Sequence, residues 1–237
     1  MLSVVIPMYN EEKYVLKTVN TLVPYLNGLQ VGYEIIFSDD GSRDSGAGIV
    51  SALSEKYSCI KLIVTPENTG KGGALKAGIK RASGEYIICT DCRLSYGTEC
   101  IGKIYDRLRL GEAQIVAGSR AIHPLKSEGS SVPAKLISDR ISGCLRKKDV
   151  AFTYTDPQCG VKGMTDSAAK AILPECVTSG VAFHYEMLLT ADLLGIKSEE
   201  FPVRISRREQ ISFSLKPIAD TVDLIKDLKV MKNTHFR

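Results

Sequence analysis

The chain has 237 residues, with 31 Lys and Arg against 27 Asp and Glu, for a formal net charge of +4. An apolar share of 44%, a charged share of 24%, 20 Gly and 9 Pro are ordinary for a soluble globular protein. They exclude disorder, collagen-like repeats and coiled coil as descriptions of the whole, and the length allows one large domain or two small ones. No apolar run approaches the ~20 residues that span a bilayer. No leader is expected either, because Pro7, Glu11 and Glu12 break the first apolar run. With a mild charge, no Trp and no basic stripe interleaved with aromatics, a nucleic-acid partner is not expected.

The seven cysteines (59, 89, 92, 100, 144, 159 and 176) are an odd number in a chain too long to need staples. They suit a reduced cytoplasmic setting with most thiols buried as small apolar groups. Cys89-Thr90-Asp91-Cys92 has no second pair at metal-ligand spacing, and His123, His184 and His235 form no paired motif. Neither a structural zinc nor a redox pair is expected.

In chain order, Leu2–Pro7 predicts a strand, and Val15, Val19, Leu22, Val23 and Leu26 place a helix over Glu11–Asn27. A strand at Tyr33–Ser38 stops at Asp39-Asp40-Gly41-Ser42, a helix follows over about 44–57, and Ile60–Val64 is the third strand. Gly70-Lys71-Gly72-Gly73 leads into a helix ending near Ser83-Gly84. Glu85–Thr90 is a strand, Ile101–Leu110 a helix and Gln114–Gly118 a strand. Strands separated by such helices predict a mostly parallel α/β sheet covered on both faces. Beyond Arg120, residues 121–131 predict a mobile loop and Ala134–Leu145 a helix. Thr155–Met164 predicts a turn and strand, His184–Leu194 an amphipathic helix, Phe201–Ile205 an edge strand and Pro217–Met231 a final helix. One domain over 1–237 is expected, with a nucleotide-binding half at 1–120. An acceptor half with the C-terminal helix would fill 121–237.

Ligands of open parallel sheets lie beyond the carboxyl ends of the strands. Those positions hold Pro7-Met8-Tyr9-Asn10-Glu11, Asp39-Asp40-Gly41-Ser42, Asp91-Cys92-Arg93 and Gly118-Ser119-Arg120. Each is a competent turn former, yet together they concentrate charge on one rim beyond what turns require. Asn68-Thr69-Gly70-Lys71-Gly72-Gly73 lacks phosphate-loop spacing and follows the third strand, so it predicts a close backbone approach rather than a phosphate cradle.

Val4-Val5-Ile6-Pro7-Met8-Tyr9-Asn10-Glu11-Glu12, Glu34-Ile35-Ile36-Phe37-Ser38-Asp39-Asp40-Gly41-Ser42 and Asn68-Thr69-Gly70-Lys71-Gly72 resemble the opening signatures of family-two inverting glycosyltransferases. Val116-Ala117-Gly118-Ser119-Arg120, Thr155-Asp156-Pro157-Gln158-Cys159-Gly160-Val161-Lys162 and Ala182-Phe183-His184-Tyr185-Glu186 resemble the polyprenyl-phosphate (dolichyl-phosphate) mannose and glucose synthase branch. The resemblance implies a GT-A fold and a UDP- or GDP-sugar donor. Pro7, Tyr9 and Glu11 would line the nucleoside pocket, and one of Asp39 and Asp40 would bond the base or ribose. Arg120 would face the donor diphosphate or the acceptor phosphate, as a permanently charged fork can, and Arg208 would be a second phosphate-binding arginine. Asp156 falls where the family keeps a catalytic-site carboxylate, and Glu186 matches a further family carboxylate.

Three departures stand out. The family's Asp-x-Asp metal motif is here Asp91-Cys92-Arg93, so Mg or Mn, which prefers oxygen ligands, would be held weakly through Asp91. Asp91 with water and the diphosphate could still hold a metal, Arg93 could itself neutralise the diphosphate, or the site could be inactive. His184 stands where the family commonly has Asp, as a base or as a packed residue. Many relatives carry membrane helices after the catalytic segment, and none is expected within the residues up to Arg237. Arg140, Arg146, Lys147, Lys148, Arg204, Arg207 and Arg208 could meet an anionic lipid surface or form a solvated face.

The expected activity is inverting hexosyl transfer from a UDP- or GDP-sugar, with polyprenyl phosphate as acceptor and no organic cofactor. The expected location is the cytoplasm, with a peripheral station at the inner face of the membrane or on a membrane partner. The alternative is a catalytically degenerate nucleotide-sugar-binding or scaffold protein of the same fold. A sugar nucleotidyltransferase is disfavoured because its glycine-rich loop would follow the first strand.

Overall fold

The computed structural model describes residues 1–122, 154–205, 227, 230, 231 and 234. Within them strands and helices alternate: β1 (Leu2–Met8), α1 (Glu12–Gly28), β2 (Tyr33–Asp39), α2 (Gly46–Lys56), β3 (Ile60–Val64), α3 (Lys71–Arg81), β4 (Tyr86–Cys89), α4 (Glu99–Arg109) and β5 (Ile115–Ser119). After residue 153 come β6 (Lys162–Thr165), α5 (Asp166–Ile172), α6 (Phe183–Leu193) and β7 (Ser198–Pro202).

Seven strands form one sheet in the order β3-β2-β1-β4-β6-β5-β7. The β1–β2, β1–β4, β2–β3 and β5–β7 pairs are parallel. β6 runs antiparallel to both β4 and β5, which periodicity alone does not reveal. The chain builds outward from β1 to β3 and then returns to place β4 on the other side of β1. That reversal opens a crevice between the carboxyl ends of β1 and β4, where ligands of such sheets lie.

Both faces are covered. Leu2, Val4, Ile6 and Met8 of β1 pack with Val15, Val19 and Leu22 of α1 and Ile101 and Ile104 of α4. Val5 and Ile36 turn to the other face, with Leu75 and Ile79 of α3, Ile172 of α5 and Phe183 and Leu188 of α6. Alternate residues of one strand thus feed two cores, and each fully buried aliphatic side chain contributes about 1.5–3 kcal/mol.

Three elements differ from expectation. α6 is not amphipathic: all nine residues Phe183–Ala191 are buried, including His184, Glu186 and Thr190. Its apolar residues run round the whole helix, the pattern of a helix enclosed on every side. The last strand is Ser198–Pro202 rather than Phe201–Ile205, because the polar stretch Ser198–Glu200 pairs with Ile115–Ala117 at the sheet edge. α5, begun by the Thr165 side chain accepting from the Ala168 N–H, is an additional helix. The expected loop at 121–131 lies outside the described residues from 123 on. So do the helix at Ala134–Leu145, Arg208 and the basic residues 140, 146, 147, 148 and 207. Of the expected final helix and its continuation, the described residues Asp227, Val230, Met231 and Thr234 are helical. Among the described residues no helix is long and apolar enough to cross a membrane.

Candidate active site

The turn after β1 is stitched to the turn after β2. The Arg43 N–H donates to Asn10 Oδ1 at 2.8 Å, and the Asn10 N–H donates to Ser42 Oγ at 2.9 Å. The Glu12 N–H donates to Asp44 Oδ2 at 2.8 Å, and the Ser45 N–H to Glu12 Oε2 at 2.9 Å. Asn10 has a φ of +54°, a left-handed conformation that Asn tolerates better than most residues. These bonds fix the backbone beneath half-buried Pro7, Tyr9 (43% exposed) and Glu11 on one wall of the crevice.

The two acidic residues closing β2 are both buried. Asp39 accepts from the Ser42 N–H at 3.1 Å and from the Ser42 hydroxyl, closing its own turn. Asp40 reaches the loop before α3. Its Oδ1 accepts from the Thr69 N–H and hydroxyl, each at 2.8 Å, and from the Thr65 hydroxyl at 3.3 Å. Its Oδ2 accepts from the Gly70 N–H at 2.8 Å. Asp40 therefore braces the glycine segment against the rim.

That segment makes the close approach its glycines predict. A Cβ on Gly72 would lie 2.5 Å from Phe183 Cβ and 2.7 Å from the Gly180 carbonyl oxygen. The start of α3 thereby abuts the start of α6. Behind it, Glu186 accepts from the Val177 N–H (2.9 Å), the Thr178 N–H (2.8 Å) and the Thr178 hydroxyl (2.6 Å). His184 is 4% exposed, and neither ring nitrogen has a hydrogen-bond partner among the described residues. Burial, reinforced by the positive charges of Lys162, Lys71 and Arg120, holds its imidazole well below the usual range and therefore neutral.

On the far wall, β5 delivers Arg120 and the loop running into β6 delivers Asp156. The Arg120 Nε and Nη2 reach the two Asp156 oxygens at 2.5 and 2.6 Å, and the Arg120 backbone N–H adds a third bond at 3.0 Å. Asp156 is 1% exposed. Burial works to raise its carboxyl, but the guanidinium outweighs burial and holds it below the usual range. Burial likewise opposes the charge on Arg120, and the carboxylate overcomes it, so Arg120 is raised further above its already high value. Glu200 of β7 anchors this loop from beneath, accepting from the N–H groups of Thr155 and Asp156 at 2.8 and 3.0 Å. The Gly160 N–H donates to Tyr96 Oη at 3.2 Å.

Lys162, paired with Cys89 across β4 and β6, is fully buried and donates to the Pro157 carbonyl at 3.0 Å and to the Cys159 carbonyl. Burial pushes its ammonium down to about 8. Lys162, Glu200 and Tyr96 are bracing residues that sequence reasoning missed. Gly160-Val161-Lys162 was the available signal, a lysine inside an apolar strand start.

At the crevice itself stand Asp91 and Arg93. Asp91 Oδ1 accepts from the Arg93 N–H (2.9 Å), the Ser95 N–H (3.1 Å) and the Ser95 hydroxyl (2.9 Å), building the turn after β4. The Arg93 guanidinium crosses to the other wall. Its Nε lies 3.4 Å from Glu11 Oε2 and its Nη2 3.5 Å from Glu11 Oε1, with the Tyr14 ring centroid 4.4 Å away. Among the described residues no three of His, Cys, Asp and Glu stand together as cation ligands. A carboxylate engaged in its own turn through one oxygen, with a guanidinium two residues on, would hold a divalent cation weakly. The C-x-x-C motif is also inert, since burial pushes the Cys89 and Cys92 thiols up to about 12.

The carboxyl ends of β1, β2, β4 and β5 thus gather Pro7, Tyr9, Glu11, Asp39, Asp40, Asp91, Arg93 and Arg120 on one rim, and the loop entering antiparallel β6 adds Asp156 beside Arg120. Glu186 sits behind it, bonded to the 177–178 backbone. The family profile Glycosyl transferase family 2 matches residues 3–161. A dolichyl-phosphate beta-glucosyltransferase of Dictyostelium discoideum is 30% identical over 246 residues, 96% of this chain and 72% of that protein. A dolichyl-phosphate beta-glucosyltransferase of Trichomonas vaginalis is 28% identical, over 93% of this chain and 69% of that protein.

Among solved structures, the glucosyl-3-phosphoglycerate synthase of Mycobacterium tuberculosis with UDP superposes with a TM-score of 0.70. It is 20% identical, over 98% of this chain and 80% of that one. The same enzyme with Mn2+, UDP-glucose and glycerol 3-phosphate gives 0.63, again at 20% identity, over 98% and 79% of the chains. A doubly covered, mostly parallel sheet with a charged crevice where its strand order reverses is the GT-A architecture of these neighbours. The chain belongs to glycosyl transferase family 2 and is a glycosyltransferase.

Proposed function

We propose that the protein moves a hexose from a UDP- or GDP-sugar to a polyprenyl phosphate with inversion at the anomeric carbon. The observation that carries this reading is the Arg120–Asp156 clamp, a charged fork fixed at the rim by three hydrogen bonds before any ligand arrives. An acceptor phosphate oxygen attacks the anomeric carbon. The bond to the nucleotide diphosphate breaks on the opposite side, and negative charge gathers on the departing diphosphate. A guanidinium already held in place stabilises that charge without reorganising during the reaction. Because Asp156 stays ionised and bonded to Arg120, its role is to orient the fork rather than to take a proton. A phosphate acceptor is already anionic and needs no strong base.

In this reading Pro7, Tyr9 and Glu11 receive the nucleoside. Asp39 faces the base or ribose, Asp40 holds the wall behind it, Glu186 sets the 177–178 backbone, and Arg208 adds a phosphate contact. Residues 1–120 then form the donor half and 121–237 the acceptor half. The names of the relatives favour glucose and a dolichyl-type acceptor, and the neighbours with bound UDP or UDP-glucose favour UDP over GDP. A lipid acceptor calls for a peripheral station at a membrane face, which the basic residues would serve. A catalytically silent binding protein is not favoured, because the clamp and its Glu200 support are complete.

The test is incubation with UDP-glucose and with GDP-mannose, with and without polyprenyl phosphate, following release of the nucleotide diphosphate. Acceptor-dependent release is expected, and saturable donor binding without release in any combination overturns the reading.

A further inference from the structure

We infer that Lys162 is a positioning residue of the transfer reaction: its fully buried ammonium holds the 156–159 turn in the shape that presents Asp156 to the Arg120 fork. The inference deepens the proposed function and rests on the role given there to that fork.

Three observations carry it. The first is position. β6 runs antiparallel, so its first residue, Lys162, stands beside Cys89 and Ala117 toward the carboxyl ends of β4 and β5. The second is geometry. The Cys159 N–H donates to the Asp156 carbonyl at 3.1 Å and closes a turn with Pro157 at its second position. The Pro157 and Cys159 carbonyls of that turn converge on the one Lys162 Nζ, the first at 3.0 Å. Two carbonyl oxygens aimed at one point repel each other unless a donor stands between them, and a charged donor holds them more firmly than a neutral one. The residue that opens the turn is Asp156, which accepts from Arg120 Nη2 at 2.6 Å and from the Arg120 N–H at 3.0 Å. The third is cost. A fully buried ammonium gives up its hydration, a penalty that an apolar side chain of similar volume would avoid. A cation stands there all the same, inside the turn that carries the clamp.

Around Lys162 stand Cys89 of β4, Asp156 and Cys159 of the turn, Arg120 after β5, Lys71 of α3 and His184 of α6. Tyr96 and Glu200 bond the same loop, at Gly160 and at Thr155 and Asp156. Burial raises both thiols and the Tyr96 hydroxyl and keeps His184 neutral, while Asp156 and Arg120 hold each other ionised. Lys162, pushed down to about 8 by burial, is therefore the first fully buried group here to change charge above neutrality.

The experiment follows transfer from UDP-glucose and from GDP-mannose to polyprenyl phosphate by the full chain from about pH 6.5 to about pH 10, with Tm read at each pH. In parallel, carbon NMR of isotope-labelled lysines, with the Lys162 signal assigned through its backbone, gives the Lys162 midpoint. The wild type should lose at least about tenfold in kcat as pH passes that midpoint, with donor KM unchanged within about threefold. Lys162→Met should show the low kcat already at neutral pH and no such descent. Stability should move the other way. A lysine whose folded value is lowered releases its proton earlier than the unfolded chain does, so its contribution to stability grows as pH rises. The Tm difference between wild type and Lys162→Met should accordingly turn in the wild type's favour while wild-type transfer falls. A brace acting only through folding would move the two together. Wild-type kcat unchanged through the Lys162 midpoint overturns the inference, and it decides the matter even where Lys162→Met does not fold. A folded Lys162→Met within about threefold of wild-type kcat overturns it as well. Either result leaves the proposed function standing. Absence of wild-type transfer in every combination overturns the proposed function, and this inference with it.

Discussion

Replacing Asp156 by Asn should expose how much of the site depends on one buried ion pair. The substitution keeps the shape of the side chain but removes the charge and turns an N–H donor toward the guanidinium. Asp156 is 1% exposed and Arg120 19%, so solvent screens little of the loss. Breaking a buried pair from one side costs about 3–5 kcal/mol. One oxygen can still accept from the guanidinium, so about 3 kcal/mol is expected. For a chain of this size that lowers Tm by about 6–12 °C, read by circular dichroism or calorimetry.

The pH dependence has a definite sign. Arg120 holds the Asp156 carboxyl below its ordinary value against the opposing effect of burial. The pair's contribution is therefore complete above the unfolded value near ~3.9 and is lost as pH falls through the folded value. The deficit of Asp156→Asn should stay constant from about pH 5 to 8 and shrink below about 4. Transfer activity should fall with it, since Arg120 loses its fixed position. In a double-mutant cycle with Arg120→Gln, the two losses should be far from additive. A variant whose Tm matches the wild type within about 1 °C would show that Asp156 does not hold Arg120.

Other substitutions separate bracing from chemistry. Asp40→Ala removes the acceptor for the Thr69 and Gly70 N–H groups and should cost about 2–4 kcal/mol in urea unfolding. An unchanged midpoint would refute the bracing role. Gly72→Ala drives a methyl against Phe183 and the Gly180 carbonyl and should cost about 1–3 kcal/mol, whereas Gly48→Ala, with open space around it, should not. Among the six described cysteines, a thiol reagent at pH 8 followed by mass spectrometry should label Cys59 first, because the other five are buried. Burial pushes Cys89, Cys92 and Cys176 up to about 12 and Cys100 to about 11. Stability should therefore fall as pH rises above about 8.5. Lys162, pushed down to about 8, acts in the opposite direction as one group against several thiols.

Elements whose burial is local were legible in the sequence, and those whose burial is made by the rest of the fold were not. β1 through β5 and the helices between them follow from short apolar runs and helical spacing. The reversed direction of β6 leaves no local mark, because a four-residue strand looks the same in either sense. The helix expected to be amphipathic, α6, carries His184, Glu186 and Thr190 among its apolar residues, and all three are buried. Glu200 carries no motif of its own, and only the pairing of β7 with β5 places it beneath the Asp156 loop. The arginine in Asp91-Cys92-Arg93 was visible as a departure from the family. Its direction toward Glu11 depends on the neighbouring strand order and could not be read from the motif.

The most direct test of hexosyl transfer to an anionic lipid acceptor is the stereochemistry of the product. UDP-α-glucose and polyprenyl phosphate are incubated with the chain, and the glycolipid is examined by proton NMR. A β-linked glucosyl phosphate, formed only when the lipid phosphate is present, is the predicted result. An α-linked product, or glucose transferred to water at the same rate without the lipid, would contradict it.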